Sequence, residues 1–249
     1  MSASPRHAAV LLIGDELLTG KIRDENLPFL AKELFVMGIR LERAVVCRDD
    51  VATIVAELRS LRANHDLVFT TGGIGPTHDD VTLRAVAEAF DRKLVSHPEL
   101  EQMIRDYFQE NTNADHLAMA LTPEGAELIR HEDISWPVLS LDGVFVFPGV
   151  PQLLVSKFPA VRTHLGTESG FVSGAFFINL DEFALASALG ATAKQHPDVA
   201  IGSYVQWGKN LDYKVKVTFD AASPSEVKAA MSGFEAAIGS EFIVKRRTP

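Results

Sequence analysis

Leu67-Val68-Phe69-Thr70-Thr71-Gly72-Gly73-Ile74-Gly75-Pro76-Thr77-His78-Asp79-Asp80 decides how this chain is read. Leu67 to Thr71 reads as a strand, and it runs into three glycines within four positions. Leu83, Val86, Ala87 and Phe90 follow at helical spacing. A strand, a glycine loop and a helix in that order leave backbone N–H groups uncovered beside a helix N-terminus, which suits an anion such as phosphate. The loop is neither G-x-G-x-x-G nor a P-loop ending in Lys-Ser/Thr. Gly14 to Lys21 misses the latter, with five intervening residues and Ile22 where the hydroxyl belongs.

Outward from this loop, the first half alternates apolar runs with helix-period segments, the pattern of a mostly parallel sheet covered on both faces. Ala8 to Ile13 and Leu41 to Cys47 read as strands; Leu27 to Met37 and Val51 to Leu61 read as helices, the second opened by Asp50 as N-cap. Further helices are expected near Pro98 to Glu110 and Gln152 to His164, with one or two strands over Val138 to Phe147. The small, polar segment Gly166-Thr167-Glu168-Ser169-Gly170 marks a boundary between domains 1–166 and 167–249. Beyond it the order is β-α-β-β-α-β, a small ferredoxin-like α+β domain with no cluster of chemistry-bearing residues. The fold class is thus α/β: a three-layer sandwich followed by that α+β domain.

The 249 residues are 47% hydrophobic and 23% charged, the balance of a globular protein. No apolar run is long enough to span a bilayer, and Met1 to His7 carries no secretory apolar region, so a cytoplasmic protein without membrane contact is expected. A net charge of -9 argues against nonspecific nucleic-acid binding. The single cysteine, Cys47, is read as core filler. His78, His97, His116 and His131 lack zinc spacing, and no G-x-S-x-G elbow is present.

Asp79 and Asp80 stand where the chain enters a helix, where one carboxylate suffices as a cap. Two beside a phosphate loop repel the ligand unless a cation lies between, and a divalent ion of the Mg, Mn or Co type binds through one or two carboxylates plus phosphates. Gly14-Asp15-Glu16-Leu17-Leu18-Thr19-Gly20-Lys21 sits at the carboxyl end of the first strand, where α/β sheets bind ligands. Asp15 and Glu16 are candidate metal ligands with Asp79 and Asp80; Gly14, Thr19, Lys21, Arg23 and Asn26 are candidates for the ligand, with a solvated turn capped by Asn26 as the alternative. Thr71, Gly72, Gly73, Gly75, Pro76 and Thr77 form the loop wall. Pro148-Gly149-Val150-Pro151 follows another strand and supplies Pro148 and Gly149, unless it is only a rigid turn.

With these three clusters in order, residues 8 to 165 resemble the molybdopterin-binding fold family, which includes MoaB, Mog, gephyrin-type enzymes and the N-terminal domain of CinA. The form Gly-Pro-Thr-His-Asp-Asp and the ending Phe147-Pro148-Gly149-Val150-Pro151 are most similar to the corresponding domain of FAD synthases. The tail, with Gly202-Ser203-Tyr204 and Tyr213 to Val217, is similar to the small domain that follows in CinA and FAD-synthase-like chains. The resemblance implies a phosphorylated nucleotide or pterin ligand, possession of a homo-oligomeric state, and one of two chemistries. One is binding or adenylylation of molybdopterin, with an aspartate matching Asp80; the other is metal-dependent cleavage of nucleoside diphosphates such as ADP-ribose or FAD. The expectation is a metal-dependent nucleotide pyrophosphatase with Asp80, Asp79 and Glu16 in its catalytic centre; a binding protein without turnover is the rival. No FAD-synthesising domain follows, so FAD synthesis is not expected; Asn113-Ala114-Asp115-His116 stands where CinA chains carry a basic segment, a departure that weighs against ADP-ribose itself as the substrate.

Overall fold

The computed structural model describes residues 6–132, 136–166, 170–208 and 211–249. The chain divides into two compact units, Met1–Thr167 and Glu168–Pro249; Thr167 to Ser169 of the expected boundary lie outside the described residues.

The first unit runs β1 (His7–Ile13), α1 (Asp15–Leu18), α2 (Asn26–Val36), β2 (Arg40–Cys47), α3 (Val51–Arg62), β3 (Leu67–Thr71) and α4 (Thr82–Ala89). It continues with β4 (Leu94–Ser96), α5 (Pro98–Phe108), α6 (Ala114–Ala118), β5 (Leu121–Pro123), β6 (Glu127–Ile129), β7 (Val138–Leu141), β8 (Val144–Phe147) and α7 (Pro151–Leu165). The main sheet has the order β2-β1-β3-β8-β7-β6. Its first four strands are parallel, and β7 and β6 add an antiparallel edge.

The three layers follow from β1, which is apolar at both alternations and buried on both faces. Ala8, Val10 and Leu12 pack with Leu30 and Leu34 of α2 and with Leu154 and Phe158 of α7. Ala9, Leu11 and Ile13 pack on the other face with Ile54 and Leu58 of α3 and with Ala85 and Val86 of α4. Asp50 caps α3, its side chain accepting from the Thr53 amide at 2.9 Å. Cys47 closes β2 inside the core, where burial pushes its thiol up to about 12.

Val138 to Phe147 is a hairpin, and the short ribbon of β4 with β5 and the strand β6 were not legible in hydrophobic period. Three-residue strands carry too few alternations to show one.

The second unit runs β9 (Val172–Ile178), α8 (Glu182–Gln195), β10 (Ala200–Val205), β11 (Val215–Ala221), α9 (Pro224–Ile238) and β12 (Ile243–Arg247). The order β10-β11-β9-β12, antiparallel throughout, is the ferredoxin-like arrangement. Phe176, Phe219 and Phe234 center its core. Among the described residues no helix is long and apolar enough to cross a membrane.

Candidate functional site

The parallel strands β2, β1, β3 and β8 bring their carboxyl ends to one edge of the sheet, and a pocket of about 720 Å³ opens there. Its lining comes from the segments that leave those strands, as the topology of an open α/β sheet requires.

Gly72 lets β3 turn beneath the end of β1. Its φ is +102°, and a Cβ there would lie 2.1 Å from the Ile13 carbonyl oxygen. Gly149 also comes near, since a Cβ there would stand 3.3 Å from Gly72 Cα, a tight contact. Thr82, buried at the start of α4, donates its amide to Gly73 O at 3.0 Å and its hydroxyl to Gly72 O at 2.9 Å. The loop is thereby fastened at both ends. The Gly72 amide itself donates to Phe147 O at 3.1 Å, which corrects the expectation that it faces the ligand. Among the described residues nothing accepts from the amides of Gly73, Ile74 or Gly75.

The helix does not follow the glycines directly, because α4 begins at Thr82 with Val81 as N-cap and no side-chain cap. Neither Asp79 nor Asp80 is therefore a helix cap. Asp80 Oδ2 accepts from the Thr77 amide at 2.7 Å and from the Thr77 hydroxyl, closing a turn. Asp79 lies below the usual carboxylate range, with the Thr77 hydroxyl, its own amide and His78 all near enough to favour its ionised form. That hydroxyl has one proton, and its close approach to Asp80 places it there, so the amide and His78 remain to favour ionised Asp79.

Of the residues expected in the site, Glu16, Asn26, Thr71, Gly72, Gly73, Gly75, Asp79, Asp80, Pro148 and Gly149 line the pocket, as does Arg23. Gly14, Asp15, Thr19, Lys21, Pro76 and Thr77 do not. Asp15 pairs with Arg48 at 3.2 Å, and the Thr19 hydroxyl bonds back to Asp15 O at 2.9 Å. Lys21, Pro76 and Thr77 are exposed. Gly14 acts indirectly: a Cβ there would meet Glu16 Oε1 at 2.5 Å, so the glycine leaves room for that carboxylate.

Asn26 is the first residue of α2 and not its cap: Glu25 stands at the N-cap without a side-chain bond, and Asp24 accepts from the amides of Asn26 and Leu27 at 3.1 Å each. The Asn26 side chain is 5% exposed, and its Nδ2 donates to Gly149 O at 2.8 Å and to Thr71 Oγ1 at 3.3 Å. It thus ties α2, β3 and the 148–151 turn together. Its Oδ1 is buried and accepts no hydrogen bond from the described residues.

Asp49, Met119, Trp136 and Lys157 are among the lining residues that escaped sequence reasoning, as are Asp24, Glu25, Leu153 and Ser156. Asp49 follows β2 and accepts from the Asp15 amide at 2.8 Å. Burial raises its carboxyl, and the charges of Glu16, Asp15 and Asp79 add to that. The carboxyl-end rule applied to β2 would have found it. Lys157 interrupts the apolar face of α7 formed by Leu154, Phe158 and Val161, a visible but ambiguous signal. Met119 and Trp136 lie outside regular strands and helices and gave none.

Glu16, Asp49, Asp79 and Asp80 therefore share one pocket, yet among the described residues no three such side chains gather closely enough to hold a metal alone. One or two of them with a ligand's phosphates form the donor set that Mg-type ions take.

Residues 9–164 match the family model described as a probable molybdopterin binding domain, and residues 170–247 match the middle domain of FAD synthase. A protein of Archaeoglobus fulgidus is 31% identical over 91% of this chain and 95% of its own. A probable FAD synthase of Caenorhabditis elegans is 29% identical over 95% of this chain, which spans 50% of that longer relative. Among solved structures, CinA from Thermoplasma acidophilum, described as of unknown function, superposes with a TM-score of 0.60 at 28% identity, covering 66% of this chain and all of that one. The resemblance read from the three clusters holds, and the chain belongs to the molybdopterin-binding domain family, joined to a domain of the FAD synthase middle type.

Proposed function

We propose that the pocket binds a phosphorylated nucleotide or pterin and, with a divalent metal, hydrolyses the pyrophosphate of nucleoside-diphosphate compounds of the FAD or ADP-ribose kind. One observation carries the reading: Gly73, Ile74 and Gly75, whose amides have no acceptor among the described residues, line a pocket also lined by Glu16, Asp49, Asp79 and Asp80. The amides are donors for phosphate oxygens, and the carboxylates are too numerous to accept a phosphate without a cation. A metal bound there supplies Lewis-acid polarisation of phosphorus and acidifies water.

The chain's own residues do the rest. The loop fastened by Thr82 presents its amides without reorganisation at the moment of reaction. Asp80 holds the 77–80 turn, which places Asp79 at the pocket. Water oxygen bonds to one phosphorus, its proton passes to a pocket carboxylate, and the bridging P–O bond breaks with its electrons on the departing phosphate. The apolar lining of Leu17, Ile22, Ile74, Met119 and Trp136 offers a surface for a flat ring. Asn26 Oδ1 offers an acceptor for a ligand hydroxyl or amine.

Incubation with FAD or ADP-ribose and Mg, Mn or Co salts should release AMP, and Asp80→Ala should abolish that release. Absence of AMP with every metal, together with copurification of one unaltered nucleotide or pterin, would instead establish a binding protein without turnover. That rival is favoured by the lack of a preassembled carboxylate cluster among the described residues.

A further inference from the structure

We propose that Lys157 is a phosphate-binding residue, delivering from α7 a positive charge to the same phosphates that the Gly73–Gly75 amides receive. This rests on the reading that the pocket holds a phosphorylated ligand. Lysine is almost never fully buried without a partner. Lys157 is 8% exposed, and among the described residues no carboxylate pairs with it. Its ammonium has three protons and, among the described residues, one acceptor, the Trp136 carbonyl. On a face shared with Leu154, Phe158 and Val161, methionine would fill the space without bringing a charge into the interior.

Lys157 lines the main pocket and also a small apolar recess that opens beside it, shared with Ile74, Met119, Trp136 and Pro148. Ile74, whose amide is unpartnered, and Lys157 thus line both cavities together. The pocket's other cation is Arg23, set against Glu16, Asp49, Asp79 and Asp80 as well as Asp24 and Glu25. An anion entering there meets an excess of carboxylates, and Lys157 is a buried charge that gains a partner when the anion arrives. Burial alone pushes its ammonium down to about 8; none of the charged groups sharing the pocket adds to that shift.

The test is calorimetric titration of the full chain, in Mg²⁺ and in EDTA, with ADP-ribose and FAD and with their unphosphorylated counterparts adenosine and riboflavin. Lys157→Met should weaken the phosphorylated ligands about ten- to a hundredfold and the unphosphorylated ones less than about twofold, with Lys157→Arg recovering much of the loss. Wild-type affinity for the phosphorylated ligands should fall as pH rises through about 8, where the ammonium deprotonates, and the Lys157→Met variant should lack that fall. Equal weakening of phosphorylated and unphosphorylated ligands would assign Lys157 to holding the Trp136 wall and overturn the proposal. Unchanged affinity in Lys157→Met would overturn it while leaving the pocket reading intact. Failure of the wild type to bind any phosphorylated ligand would remove the pocket reading and the proposal with it.

Discussion

Replacing Asn26 with leucine separates what the pocket needs from what the fold needs. Asn26 Nδ2 makes two hydrogen bonds, to Gly149 O and Thr71 Oγ1. Losing them costs about 1 kcal/mol each, with some further cost for leaving Gly149 O without this donor. Against that stands Oδ1, a buried acceptor without a protein partner, whose removal recovers about 1–3 kcal/mol. Leucine has nearly the same volume and adds apolar burial. The two sides nearly cancel, so Asn26→Leu in the unliganded protein should change stability by less than about 1 kcal/mol. Asn26→Asp keeps an acceptor, cannot donate to Gly149 O, and brings a further charge into an acidic pocket; it should be the less stable of the two. Thermal unfolding should show a shift of a few degrees or less for the leucine variant, taking about 2–4 °C per kcal/mol for a chain of this size. Titration with ADP-ribose or FAD should show affinity reduced about tenfold, through loss of one hydrogen bond and loosening of the 148–151 turn. A strongly destabilised leucine variant with unaltered ligand affinity would refute the reasoning, because Asn26 would then be a structural tie and nothing more.

Gly72→Ala puts a Cβ 2.1 Å from the Ile13 carbonyl and should lower stability by more than about 2 kcal/mol while abolishing ligand binding; denaturant unfolding checks the first and calorimetry the second. Leu11, buried within the layer on α3 and α4, should cost about 2–5 kcal/mol as Leu11→Ala with ligand contacts untouched, so affinity measured well below the melting temperature should persist. Asp80→Asn retains an acceptor for the Thr77 amide and should preserve the folded turn, read by unchanged thermal stability, while AMP release falls at least about tenfold. Cys47, whose folded thiol titrates near 12 against 9.0 for an unperturbed one, should resist alkylation at neutral pH until the chain unfolds. The sign for stability follows: the thiol's contribution is complete below pH 9.0 and is lost as pH rises toward 12, because the unfolded chain ionises first.

Periodicity made most of the first unit legible because its central strand is long and buried on both faces, and because α2, α3 and α7 each show an apolar stripe. The ferredoxin-like unit was legible for the same reason, its six elements being long enough to carry a period. Between Leu94 and Ile129 only the helix opened by Pro98 was legible; the strands there are three residues each and pair through contacts that sequence order does not announce. At the candidate site, glycine and carboxylate types drew attention to loops that line the pocket. They did not show which amide was already spent, as Gly72's is, nor that Asp80 closes a turn where a helix cap was the simpler expectation. Side-chain direction decided the fate of Asp15, Thr19 and Lys21, three near neighbours of Glu16 that face away from the pocket. Lys157 on α7 and Trp136 outside any strand or helix line the pocket from segments whose relation to the glycine loop exists only in three dimensions.

The amides of Gly73, Ile74 and Gly75 are the center of the account, and nuclear magnetic resonance observes them directly. Titrating ¹⁵N-labelled protein with ADP-ribose or FAD should move these three amide signals most, and protect them from exchange, while the Gly72 signal, already bonded to Phe147 O, moves least among the loop glycines. Saturable binding that leaves the Gly73 to Gly75 signals in place and shifts another surface would contradict it.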